Sequence, residues 1–140
     1  MSEAIDDLKK RRQPIRNISI TDITLNYKQP PGAIVSILHR ISGFVLFLSL
    51  PFLLYLFQQS IVSEISFAHW SGIVSNPLTK IVLLGLSWAY LHHFCAGVRH
   101  LFMDNHMALD KDASQRTARW VLVVAVALTV LVALKLFGVF

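Results

Sequence analysis

The stretch AYLHHFCAGVRHLFMD, residues 89–104, decides how this chain folds. It closes an apolar run from about Leu78 to Met103, yet it contains three histidines, one arginine and one aspartate. A charged side chain at the centre of a bilayer costs about 2.5 kcal/mol or more on insertion scales, so ionisable residues in such a run mark a functional site by default. The stretch therefore predicts a membrane helix that binds something.

The rest of the chain also has the composition of a membrane protein. Of its 140 residues, 54% are hydrophobic and only 15% are charged, whereas a soluble domain is usually about 25% charged. Two further apolar runs, about Ile34–Phe57 and Trp120–Phe140, are long enough for the roughly 20 residues that cross about 30 Å of hydrocarbon. We predict an all-α integral membrane protein with three transmembrane helices, over about 34–57, 78–103 and 117–138.

The basic residues indicate how the chain is oriented. Six lysines and arginines precede the first span, and Lys111, Arg116 and Arg119 lie between the second and third. The positive-inside rule then places the N-terminus and the second connection in the cytoplasm. We predict a cytoplasmic N-terminal arm over 1–33, either extended against a partner or disordered, and a three-helix transmembrane domain over 34–140. The net charge of +5 is thus an orientation signal, and we expect no nucleic acid partner.

Helical spacing groups the polar residues of the first two spans on faces. One face of the first span carries residues at i, i+3, i+4 and i+7, namely Ser36, His39, Arg40 and Gly43. One face of the second span carries residues at i, i+4 and i+7, namely His93, Gly97 and His100. A second face, about 100° away, carries His92, Ala96 and Arg99. Because consecutive spans are antiparallel, the polar groups of the two helices can be neighbours.

Two kinds of chemistry suit this arrangement. A neutral imidazole is an axial ligand of haem iron, and a glycine one turn away lets a flat macrocycle approach, so the face of His93 and Gly97 fits better than that of His92. A quinone head group needs hydrogen-bond donors near the interface, which Ser36 and Arg40 can supply. Helix packing by small residues and interfacial positions explain the same residues, so spacing alone leaves the choice open. The chain has no hydrolase or phosphate-loop motif.

Two segments together carry a resemblance to a known family. SILHRISG at 36–43 and HHFCAGVRHLFMD at 92–104 resemble the cytochrome b membrane-anchor subunit of succinate dehydrogenase, respiratory Complex II. The family pattern is a serine, His-Arg and a Ser/Thr-Gly pair on the first helix, then a His, Gly-x-Arg-His and an Asp on the second. The resemblance extends over about residues 13–140. The arm segment RQPIRNISITDI departs from the Ser-Pro-His of mitochondrial relatives and looks bacterial.

The resemblance implies a role for each matched residue. The axial haem ligand falls on His93, and the other axial ligand comes from a partner subunit. The propionate side of the haem falls near His39, Arg40 and His100, with Gly97 on the same face as the ligand. The quinone pocket falls on Ser36 and Arg40. His92 has no assigned role and is expected to pack or to support its neighbours.

The same resemblance implies cofactors, partners and location. The chain would be a subunit of succinate:quinone oxidoreductase without dehydrogenase chemistry of its own, multi-pass in a bacterial inner membrane. It would share haem b with a second membrane-anchor subunit and dock an iron–sulfur subunit and a flavoprotein subunit, with ubiquinone as the substrate reduced. Two alternatives stay open at this stage, namely a haem-free anchor of the same superfamily and an unrelated three-helix transporter or sensor component.

Overall fold

The computed structural model describes residues 19–21 and 27–139, so most of the predicted N-terminal arm lies outside the described residues. Four helices follow in chain order, α1 (Pro31–Val62), α2 (Glu64–Val74), α3 (Pro77–Asp104) and α4 (Lys111–Leu136). Three of them, α1, α3 and α4, are long and apolar enough to cross a membrane. No strand occurs within the described ranges. The predicted all-α fold with three transmembrane helices is confirmed.

The first span is longer at both ends than its apolar run. Pro31 occupies the first helical position, where a proline loses no hydrogen bond, so α1 begins three residues before Ile34. The helix continues through Pro51 and past the polar residues after Phe57. With 32 residues and about 1.5 Å of rise per residue, it exceeds the roughly 30 Å of hydrocarbon. Its ends therefore reach into the interfacial layers.

Local capping sets the boundaries of α2 and α3. The Ser63 side chain accepts a hydrogen bond from the Ser66 N–H and thereby starts α2. The Asn76 side chain accepts one from the Leu78 N–H at 2.9 Å, and Pro77 occupies the first position of α3. Serine and asparagine are favoured at this position because they satisfy donors that the first helical turn leaves open.

The last span begins six residues earlier than the predicted 117. Residues 111–116 are polar, so hydropathy could not assign them to the helix, although they continue its helical backbone. A short loop, residues 105–110, joins α3 to α4. It turns tightly, with His106 and Ala108 both at positive φ.

Contacts at one end of the bundle join the start of α1 to α3 and α4. The Gly32 N–H donates to Gln115 Oε1 of α4 at 3.0 Å. On the same side, Arg99 near the end of α3 donates to the Ser114 carbonyl and hydroxyl. The start of α1 and the α3–α4 loop therefore lie on one side of the membrane.

Contacts at the opposite end involve aromatic rings. Trp70 of α2 packs edge-on against Tyr55 of α1, with ring centroids 5.8 Å apart. The Lys80 ammonium of α3 lies 5.7 Å from the ring centre of Phe137, just beyond α4. The short helix α2 is consequently on the side opposite to the α3–α4 loop.

Small residues fill the space where the three long helices meet. The buried apolar residues are all alanine or valine: Val35, Ala89, Ala96, Ala118, Val121 and Ala125. Small side chains let helix backbones approach closely, which drives helix association in a membrane. Large side chains such as Phe47, which is 72% exposed, point outward. The bundle is therefore held by close backbone packing and presents its bulky residues to its surroundings.

Candidate functional site

Imidazoles from α1 and α3 come together on one side of the bundle. The rings of His39 and His93 stack with centroids 4.2 Å apart and an interplanar angle of 17°. His100 lies one helical segment away, with its ring centroid 5.1 Å from that of His39. The antiparallel arrangement therefore makes the two polar clusters neighbours, as the sequence predicted.

The backbone of α1 fixes the orientation of the His93 ring. Its Nδ1 lies 3.1 Å from the His39 carbonyl oxygen and 3.3 Å from Ser42 Oγ. The Ser42 hydroxyl also donates to that carbonyl, at 3.0 Å. Because a carbonyl oxygen can only accept, the network assigns the proton to His93 Nδ1, which then donates. His93 Nε2 keeps its lone pair and has no hydrogen-bond partner among the described residues.

Gly43 is what allows His93 to lie so close to α1. A Cβ atom at this position would be 2.8 Å from His93 Cε1 and 3.2 Å from Nδ1. Real Cβ contacts do not reach 2.8 Å, so any larger residue would push the ring away from its carbonyl partner. Neither Ser42 nor Gly43 was among the predicted site residues. The signal was their spacing, three and four residues after His39, on the same helical face.

Gly97 has a different relation to the cluster. A Cβ there would meet only His39 Nε2, at an ordinary 3.8 Å. Packing within this chain therefore does not require glycine at position 97. The glycine instead leaves the surface of α3 low on the face that carries His93, where a flat ligand could approach the helix.

Ser36 and Arg40 lie one turn apart on α1, near the end that also contacts α4. Ser36 is half-buried and Arg40 is exposed. Neither side chain has a hydrogen-bond or ion-pair partner in the part of the chain that the structure describes. Both polar groups are therefore available to a ligand or to a second subunit.

His92 faces the opposite way from His93, into the bundle. Its ring is fully buried and stacks on Trp88, with centroids 5.4 Å apart. The Val35 backbone passes nearby, but neither ring nitrogen has a hydrogen-bond partner within the described residues. His92 is therefore not part of the open imidazole cluster.

Arg99 also points away from the imidazole cluster. It is 7% exposed, and its Nε donates to Thr117 Oγ1 at 3.1 Å. Its Nη2 donates to the Ser114 hydroxyl at 2.9 Å and to the Ser114 carbonyl at 3.2 Å. The arginine of the Gly-x-Arg-His segment thus joins α3 to α4, which spacing along α3 alone could not reveal.

These features define a class of protein, a helical membrane protein that presents one backbone-anchored imidazole, with its Nε2 open, on a side of its bundle. The sequence profile described as "Succinate dehydrogenase/Fumarate reductase transmembrane subunit" matches residues 12–132. The chain belongs to this family.

Individual relatives agree with the family profile. The chain is 46% identical to a protein of Coxiella burnetii over 76 residues, which are 54% of this chain and 61% of the relative. It is 31% identical to one of Paracoccus denitrificans over 111 residues, 79% of this chain and 85% of the relative. It is 30% identical to one of Rickettsia felis over 125 residues, 89% and 98% of the two chains. All three are named succinate dehydrogenase cytochrome b556 subunit.

The predicted resemblance to the cytochrome b membrane subunit of Complex II is therefore confirmed. The chain is a membrane subunit of an enzyme, succinate dehydrogenase, and it works in a lipid bilayer with other subunits of that complex. The alternative of an unrelated transporter or sensor component is wrong.

The two unpartnered nitrogens of His92 generate a prediction about stability. Leaving a buried polar group unsatisfied costs about 1–3 kcal/mol, and an apolar replacement of similar shape removes that cost. We expect His92→Phe to leave the melting temperature of the purified complex unchanged or to raise it. His92→Ala, which opens a cavity, should lower it. Equal destabilisation by both substitutions would show that the imidazole has a polar partner.

Proposed function

We propose that this chain binds haem b together with a second membrane subunit and helps to form the site at which ubiquinone accepts electrons from succinate. The observation that carries the proposal is the state of His93. Its Nδ1 is anchored by the His39 carbonyl, and its Nε2 lone pair remains open. Haem-ligating histidines need this tautomer, because the hydrogen bond at one nitrogen sets the basicity and direction of the other.

The other residues of the cluster fit a haem as well. His93 would hold the iron through Nε2, and Gly97 leaves room for a macrocycle on the same face. His39, Arg40 and His100 bring cationic or hydrogen-bonding groups that suit propionates. A b-type haem, when bound, supplies a one-electron redox centre within the membrane.

The position of the cluster supports a shared site. His93 is half-buried on a side of the bundle where α4 does not cover it, and the three imidazoles come from α1 and α3 alone. We propose that a second membrane-anchor subunit covers this side and supplies the other axial ligand. An iron–sulfur subunit and a flavoprotein subunit would dock on the cytoplasmic side and deliver the electrons.

Ser36 and Arg40 are suited to a quinone head group. A quinone carbonyl gains negative charge as it is reduced, so positioned donors stabilise that change more than they stabilise the starting state. The Ser36 hydroxyl would donate to the carbonyl oxygen, and the Arg40 guanidinium would add positive charge one turn away. Both lie near the end of α1 where an isoprenoid tail can remain in lipid.

The orientation follows from the charged ends of the helices. Basic residues are concentrated before α1 and around the start of α4, and the structure brings these two ends to the same side. By the positive-inside rule that side is cytoplasmic, which would place the chain in a bacterial inner membrane with its N-terminus inside.

The haem proposal predicts a contrast between adjacent histidines. His93→Ala should remove or weaken the low-spin b-type band in the reduced-minus-oxidised spectrum of the purified complex, because it removes the axial ligand. His92→Phe, which changes only the buried face, should retain the band. The reverse pattern would place the ligand one residue away. A complex of the unaltered chain without any reducible haem band would favour the haem-free anchor.

The quinone proposal predicts a loss of activity without a loss of assembly. Ser36→Ala should lower succinate–quinone reductase activity about tenfold, as expected for losing a hydrogen bond worth about 1.4 kcal/mol in the transition state. Succinate oxidation by an artificial acceptor that draws electrons from the soluble subunits should be unchanged. Ser49→Ala is the control, since its hydroxyl only bonds the Leu46 carbonyl of the same helix. Normal quinone reduction by assembled Ser36→Ala and Arg40→Leu complexes would exclude both residues from the site.

The proposed orientation can be tested with single cysteines in a chain whose only cysteine has been replaced, Cys95→Ala. Ser71→Cys in α2 should react with a membrane-impermeant thiol reagent in intact spheroplasts. Asp110→Cys in the α3–α4 loop should react only after permeabilisation. Both positions are exposed, so labelling in the opposite order would show that the chain is inverted.

A further inference from the structure

We propose that the groove between α3 and α4 binds an anionic phospholipid, with an acyl chain along the groove and the phosphodiester against Arg99. The groove has a volume of about 270 Å³ and is lined almost entirely by apolar side chains. Phe94 and Val98 line it from α3, and Trp120 and Val124 line it from α4, whereas Arg99 and Thr117 are its polar members. This site lies away from the imidazole cluster, so the proposal does not rest on haem or quinone binding.

The charge of Arg99 has no counter-ion in the described chain. All its acceptors are uncharged oxygens, on Ser114 and Thr117. The two N–H groups of its Nη1 have no acceptor among the described residues. A guanidinium stays protonated in proteins, and a buried charge is strongly unfavourable unless an opposite charge accompanies it. Arg99 therefore leaves both a charge and two donors for an anion.

The surroundings of Arg99 favour a phospholipid as the source of that anion. Arg99 is five residues before the end of α3, about 8 Å along the helix axis at 1.5 Å per residue, so its head group can reach the lipid phosphate level. Trp120 is 65% exposed beside the groove, as aromatic residues are at membrane interfaces. Arg116, one turn before Trp120 on α4, is exposed and adds positive charge at the same end. A zwitterionic lipid would neutralise this end less well.

Binding of phosphatidylglycerol to the purified complex, followed by native mass spectrometry, tests the proposal. Arg99→Gln should weaken the tightest phosphatidylglycerol site about tenfold, which corresponds to about 1.4 kcal/mol. Val124→Phe, which fills the groove without changing any charge, should have a similar effect. Arg119→Gln is the matched control, because it removes an exposed arginine of α4 that does not line the groove. Its affinity should stay within about twofold of that of the unaltered complex.

Further arms of the experiment distinguish other sources of the anion. Phosphatidylcholine should bind the site more weakly than phosphatidylglycerol, and inorganic phosphate should not displace the lipid. Equal binding of both lipids, or displacement by phosphate, would overturn the proposal. So would a loss of a partner subunit from Arg99→Gln with phosphatidylglycerol binding retained, since that result would assign the charge to a protein carboxylate. If Arg99→Gln does not assemble, Val124→Phe decides, and unchanged lipid binding by that variant overturns the proposal.

Discussion

The hydrogen bond from His93 Nδ1 to the His39 carbonyl is the interaction on which the site depends. It connects α3 to the backbone of α1 at 3.1 Å and directs the open Nε2 away from the first helix. The Ser42 hydroxyl, donating to the same carbonyl, holds the acceptor in place. Such closeness needs Gly43, since a Cβ there would collide with the ring. One contact thus links the crossing of two membrane helices to the chemistry of a histidine.

The two faces of α3 serve different purposes. The face with His92 and Arg99 is buried against small residues of α1 and α4, and its polar groups either lack partners or bond to α4. The face with His93 and Gly97 stays partly open. A membrane bundle gains little from the hydrophobic effect between its helices, so it relies on close packing and on hydrogen bonds. This explains why one helix can carry three histidines while only some of them serve a ligand.

Much of this arrangement follows from periodicity, and the remainder depends on distances that a linear pattern does not contain. The three spans and the adjacency of the His39 and His93 clusters follow from run length, helical spacing and antiparallel order. The polar first turns of α4 were missed because hydropathy does not distinguish a helix outside the hydrocarbon from a loop. The need for glycine at position 43 depends on how closely α1 and α3 approach. The partners of Arg99 lie on α4, so spacing on α3 could not predict them.

Haem content of the assembled complex after Gly43→Ala tests the central claim most directly. Gly85→Ala is the control, because a Cβ at position 85 of α3 meets nothing within 4 Å. We predict that Gly43→Ala loses most of its haem while the subunits still assemble, since the added methyl group displaces the His93 ring from its carbonyl partner. Gly85→Ala should keep its haem. Full haem content and an unchanged spectrum in Gly43→Ala would contradict the account, because His93 would then not need its anchor on α1.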